Sequence, residues 1–140
     1  MLWNRSIPRA TVIPVLAFPD ANLAAAWRCD AFAFTVRLRV DTHRVQLKVG
    51  EGAVIVRELR PAEIDAPLGL GHSVTIRVED VDAHCQHARE HGAQITQEPA
   101  THPYGERQYT AQDPAGHSWT FSQSVVDIPP EQWGGTSVQL

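Results

Sequence analysis

The stretch HSVTIRVEDVDAHCQHAREHG, residues 72–92, sets out a strand, a helix cap and a helix in immediate succession. Val74, Ile76 and Val78 alternate with Ser73, Thr75 and Arg77, the period of two expected of a strand covered on one face. Asp80 then offers a side-chain oxygen to the first unpaired N–H groups of a helix running to about Glu90, and Gly92 ends it. Three further segments, Gln94–Gln97, Gln108–Gln112 and His117–Ser122, read as strands. In the last, His117, Trp119 and Phe121 oppose Ser118, Thr120 and Ser122. This half therefore runs βαβββ.

The upstream half repeats that order. Thr11–Phe18 is a short apolar strand, Pro19 and Asp20 break it, and Ala21–Asp30 is an alanine-rich helix with Leu23 and Trp27 one turn apart. Phe34–Val40 and Val45–Val49 alternate on either side of a turn at 41–44, and Gly50–Gly52 leads into a fourth strand, Ala53–Leu59. Asp20 and Asp80 hold the same place, as do Gly52 and Gly116, so the pattern recurs after about sixty residues. The expected organisation is one domain over 1–140: module one at about 10–60, a linker at 61–71, module two at about 72–123 and an irregular extension at 124–140.

Composition sets the outer limits. The chain has 140 residues, 43% apolar and 20% charged, which suits one folded domain and excludes general disorder. Twelve basic and sixteen acidic residues give a net charge of −4, so neither nucleic acid nor an anionic membrane surface is an expected partner. Cys29 and Cys85 fall outside metal-type spacing, and the opening MLWNRSIPR lacks the apolar run of a secretory leader. The expectation is a cytoplasmic protein with reduced thiols.

Paired βαβββ modules, with Val78–Asp82 at a strand-to-helix junction and Tyr104–Arg107 upstream of the turn and strand Asp113–Phe121, resemble the vicinal oxygen chelate superfamily. This is the glyoxalase, bleomycin-resistance and extradiol-dioxygenase group. The resemblance implies an α+β fold in which the two modules form a curved, open, barrel-like sheet, with helices on the convex side and the ligand or metal in the concavity. It also implies a homodimer. In that family the metal ligands come from the first and last strands of each module, positions that fall here on Ile13, Val56, Ser73 and Thr120. Two aliphatic side chains and two neutral hydroxyls do not make a site for a divalent ion, so neither a metal nor any other cofactor is expected. His84, His87 and His91 share a helix at metal-type spacing, yet Val81, Cys85 and Ala88 mark its buried stripe and leave the histidines on a polar flank.

No nucleophile elbow, phosphate loop or dinucleotide fingerprint is present. Alternation places Arg37 and Arg39 together, and Arg44, Gln46 and Lys48 together, opposite the apolar residues of their strands. Arg77 is the sharpest candidate for holding a carboxylate or phosphate. The expected function is metal-independent binding of a small molecule, anionic where Arg77 contacts it, with Arg77, Ser73, Thr75, Thr120, Glu58 and Arg107 as candidate contacts. The alternative is a lyase, isomerase or hydrolase acting on a small oxygenated substrate, with Glu58 or Glu106 as base and Arg77 or Arg107 stabilising negative charge. Tyr104 and Tyr109 are further groups able to move a proton, and a non-catalytic interaction module using the basic strands is a third possibility.

Overall fold

The computed structural model describes residues 4–65 and 72–137, which fall into two compact units on either side of the intervening segment. Both are α+β modules of one plan.

In the first, β1 (Val15–Phe18) leads into α1 (Ala21–Phe32), followed by β2 (Thr35–Val40), β3 (Arg44–Val49) and β4 (Gly52–Glu58). The sheet order is β1-β4-β3-β2, with β1 and β4 parallel and the other pairs antiparallel. Asp20 caps α1 by accepting from the Leu23 N–H at 3.0 Å. Leu16, Phe18, Val45, Leu47, Val54 and Val56 are buried in this module's core, with Ala21, Ala25 and Ala31 from the helix. Arg28, only 1% exposed, belongs to the same layer: its guanidinium lies 3.9 Å from the Phe18 ring centre and donates to the Ala24 carbonyl.

The second module repeats the plan with β5 (Val74–Arg77), α2 (Val81–Glu90), β6 (Gln94–Thr101), β7 (Glu106–Gln112) and β8 (Ser118–Ser124), in the order β5-β8-β7-β6. Asp80 caps α2 through the Ala83 N–H. Trp119, Phe121, Tyr109 and Ala111 are fully buried, alongside Val81, Cys85 and Ala88 of the helix. The Asp-Pro-x-Gly turn has a clear physical role: Asp113 Oδ1 accepts from the backbone N–H groups of Ala115 and His117, and Oδ2 accepts from the Trp119 indole at 2.8 Å. Gly116, at φ +92°, closes that turn in a conformation side chains disfavour.

Several boundaries differ from the sequence reading. β1 starts at Val15 rather than Thr11, and α1 continues past Asp30 to Phe32. β6 runs to Thr101 because its register shifts twice against β7, so Pro99 is accommodated without a regular ladder. β7 begins at Glu106, which brings Glu106 and Arg107 into the sheet. Of the expected linker, Pro61–Glu63 forms a short 3-10 turn, and residues 66–71 lie outside the described residues.

Candidate functional site

Each sheet has one face under its helix and one face without a helix. In the second module the helix-covered face carries Trp119 and Phe121, and the His84 ring sits 4.2 Å from that of Phe121. The helix-free face carries Thr75, Arg77, Gln108, Thr110, Thr120, Ser122 and Ser124, by strict alternation from those residues.

Hydrogen bonds join these polar groups into a threonine pair and a separate chain. Thr110 and Thr120 share a hydroxyl hydrogen bond at 2.9 Å across β7 and β8. Ser122 donates to Glu106 Oε1 at 2.7 Å, and Gln108 Nε2 donates to the Ser122 hydroxyl at 3.0 Å. Tyr104 folds over the same face and donates its hydroxyl to Gln108 Oε1 at 3.0 Å. At the sheet edge Arg77 donates to the Ser124 hydroxyl at 2.9 Å. Hydrogen bonds from the Ser124 and Ser122 hydroxyls hold the Glu106 carboxyl below its ordinary pKa, and the Arg77 charge adds to the effect.

A cavity of about 430 Å³ opens where this network ends, lined by Tyr104, Glu106, Ser124, Val125, Val126, Asp127 and Ile128. Its outer wall is the extension that follows β8. Val125 and Val126 both donate backbone N–H groups to the Gly105 carbonyl, and a Cβ at Gly105, already at φ +86°, would collide with the Val126 carbonyl. Further along, a 3-10 turn at Pro130–Gln132 sets Trp133 edge-on to Tyr104 with ring centres 5.5 Å apart, and Tyr104 stacks on His102. The extension is thus built onto the second module.

The expected contacts separate into groups. Arg77, Thr75 and Thr120 share the helix-free face, with Thr75 and Thr120 directly paired in register. Ser73 precedes β5 and is exposed. Glu58 and Arg107 are on the helix-covered faces of their modules. Glu58 Oε1 stands 3.5 Å from the Ala21 N–H at the start of α1, while Arg107 makes a two-pronged pair with Asp82 of α2, both contacts at 3.0 Å. Gln123 does for α2 what Glu58 does for α1, accepting from the Val81 N–H at 2.9 Å.

Register also places the family's metal positions more closely. Val56 pairs with Leu16 on the helix-covered face, so the first-module counterpart of Thr120 on the open face is Ile55, one residue earlier. Ile13, Ile55, Ser73 and Thr120 supply no imidazole or carboxylate, so these residues do not fit a divalent ion. Among the described residues no group of three or more His, Cys, Asp or Glu could hold a metal ion. The three histidines of α2 do not lie together on a polar flank. His84 turns toward the sheet, its Nδ1 2.5 Å from the hydroxyl of fully buried Tyr109, whereas the His87 and His91 rings meet at a tilt at the surface, their centres 4.3 Å apart. Burial pushes up the pKa of Tyr109, Cys85 and Cys29, the opposite of what an activated nucleophile needs.

The first module treats its helix-free face differently. A register shift between Val36 and Leu38 breaks the alternation of β2, so Arg37 and Arg39 do not share a face. Arg39 reaches Asn22 of α1, while Arg37 donates to Gln46 Oε1 at 2.6 Å and to the Arg5 carbonyl at 2.8 Å. Gln46, 5% exposed, donates in turn to the Ser6 carbonyl. The N-terminal arm therefore covers part of this face, and Arg57 at its margin is held by both Glu63 carboxylate oxygens at 2.8 and 2.7 Å.

Residues 11–121 match the family model of the Glyoxalase/Bleomycin resistance protein/Dioxygenase superfamily. The chain belongs to that superfamily. Among solved structures it resembles TioX from Micromonospora sp. ML1 at 31% identity and a TM-score of 0.68, over 81% of this chain and 97% of that one. UcmS2 matches at 19% identity and a TM-score of 0.66 over 81% and 98%, and lactoylglutathione lyase from Agrobacterium tumefaciens at 20% and 0.63 over 91% and 98%. These two likenesses concern the fold alone. Comparison with curated proteins finds no match. No helix among the described residues is long and apolar enough to cross a membrane.

The sequence reading passed over Ser122, Ser124 and Gln108 as site residues, together with the whole extension. Alternation had already put Ser122 on the correct face. Glu106 had no face assigned because the strand was expected to begin two residues later.

Proposed function

We propose that this superfamily member binds a small, partly apolar molecule on the helix-free face of its second module, without catalysing its conversion. The observation that carries the reading is the cavity of about 430 Å³ between the Glu106–Ser124–Arg77 network and the extension, a size typical of small-molecule sites. Thr75, Thr120 and Arg77 continue the polar wall along the sheet, with Ser73 beyond its end. Binding takes place without a metal, in keeping with the donor set at the family's metal positions. The family resemblance supports a homodimer, and the unpaired thiols of Cys29 and Cys85 suit the cytoplasm.

The rival enzymatic reading has less behind it. Glu58 is engaged at the start of α1, and a Glu106 carboxyl held below its ordinary pKa is a weak base at neutral pH. A thermal-shift screen of small molecules against chelator-treated protein, repeated with Ser124→Val, tests the proposal. Hits that stabilise the wild type and lose their effect in Ser124→Val are expected. Hits that need added metal, or that the protein converts to product, would reject it.

A further inference from the structure

Resting on that reading, we infer that the cavity selects a ligand bearing a protonated amine on an apolar body. Glu106 is an acceptor-only group at the cavity wall, and the Ser122 and Ser124 hydroxyls occupy part of its acceptor capacity. A carboxylate has about four lone-pair sites, so the remainder calls for a donor from whatever enters. Asp127 on the extension, an exposed acidic residue, lines the same space. Among the described residues no basic side chain lines the cavity: Arg77 lies beside it, donating to Ser124 and lowering the Glu106 pKa. An anion entering there would meet Glu106 and Asp127 and, among the described residues, no basic lining residue. Val125, Val126, Ile128 and the Tyr104 ring offer apolar surface for the rest of the ligand. The inference reverses the charge expected from Arg77 alone, because Glu106 lines the cavity whereas Arg77 is turned to Ser124 beside it.

The test uses three probes with one hydrocarbon body: phenethylamine, 2-phenylethanol and 3-phenylpropionate, titrated into the full chain by calorimetry, with binding located by amide shifts in nitrogen-labelled protein. The amine is expected to bind more tightly than the acid by about tenfold or more, the scale of a charge-assisted hydrogen bond. Glu106→Gln should bring the two within about twofold, and Asp127→Asn, at an exposed position less coupled to folding, should narrow the gap part-way. Binding of the acid as tightly as the amine, with shifts at residues 104–128, would overturn the amine inference and leave the binding reading standing. So would an amine preference unchanged in both variants. If none of the three probes moves residues 104–128, the binding reading fails and the inference with it.

Discussion

The two modules share a plan and differ in what covers the open face. Their helix-covered faces match closely: Asp20 and Asp80 cap the helices, Glu58 and Gln123 reach the first helical N–H from the last strand, and Val54 and Val56 correspond to Trp119 and Phe121. On the other face, Val15 and Ile55 stand where the second module has Thr75 and Thr120. The first module lays its own arm over part of this face, the Arg5 and Ser6 carbonyls accepting from Arg37 and Gln46, and keeps a pocket of about 360 Å³ beside Arg9, Arg37 and Lys48. The second leaves a hydroxyl-rich surface and builds a cavity at its end. A duplicated fold can hold one face constant for stability while the other diverges, since alternation lets the two faces change separately.

The largest expected effect strikes the shared face. Trp119→Ala removes a fully buried indole and the partner of Asp113, and should cost about 3 to 5 kcal/mol in urea denaturation. Thr120→Ala, one residue on and facing the other way, should cost far less. Equal losses would mean that the second module does not separate its faces as described.

A smaller effect is expected where the first module is sealed. Gln46→Ala deprives Arg37 of an acceptor and the Ser6 carbonyl of a donor, a loss of about 1 to 3 kcal/mol. The loosened arm should become sensitive to trypsin at Arg5 and Arg9. Unchanged resistance would mean that other contacts hold the arm, and the contrast between the modules would need a different cause.

The smallest effect concerns the margin of that face. The Arg57 hydrogen bonds and the Arg60 backbone N–H hold the Glu63 carboxyl at about 2, below its ordinary 4.5. A lowered carboxyl pKa adds stability above the ordinary value, and that contribution disappears as pH falls through the lowered one. Wild type and Glu63→Gln should therefore differ most above pH 4.5 and converge toward pH 2 in thermal melts. A difference that grew on acidification would reject the pairing.

The plan of both modules was legible because caps, turns and alternation are local signals; helix α2 followed them closely, while the strand expected over His72–Val78 is confined to Val74–Arg77. The faces were harder to read in the first module. Ala53, Val54, Ile55 and Val56 are apolar without interruption and buried on both faces, so the run carried no period to show where Glu58 points. The bulge at Arg37 left no mark in a sequence that alternates through it. The cavity depends on the extension packing against Gly105, a contact between segments with no common periodicity. Thr75, Arg77 and Thr120 could be placed on one face from sequence, whereas their link through Ser124 to Glu106 needed the pairing of β7 with β8.

Which open face takes the ligand is decided most directly by following the backbone amides of nitrogen-labelled wild-type protein during titration with phenethylamine. The shifts should concentrate at Tyr104, Glu106 and Ser124 through Ile128, with the first module unmoved. Shifts centred on Arg37, Gln46 and Arg57, with the second module silent, would contradict the account.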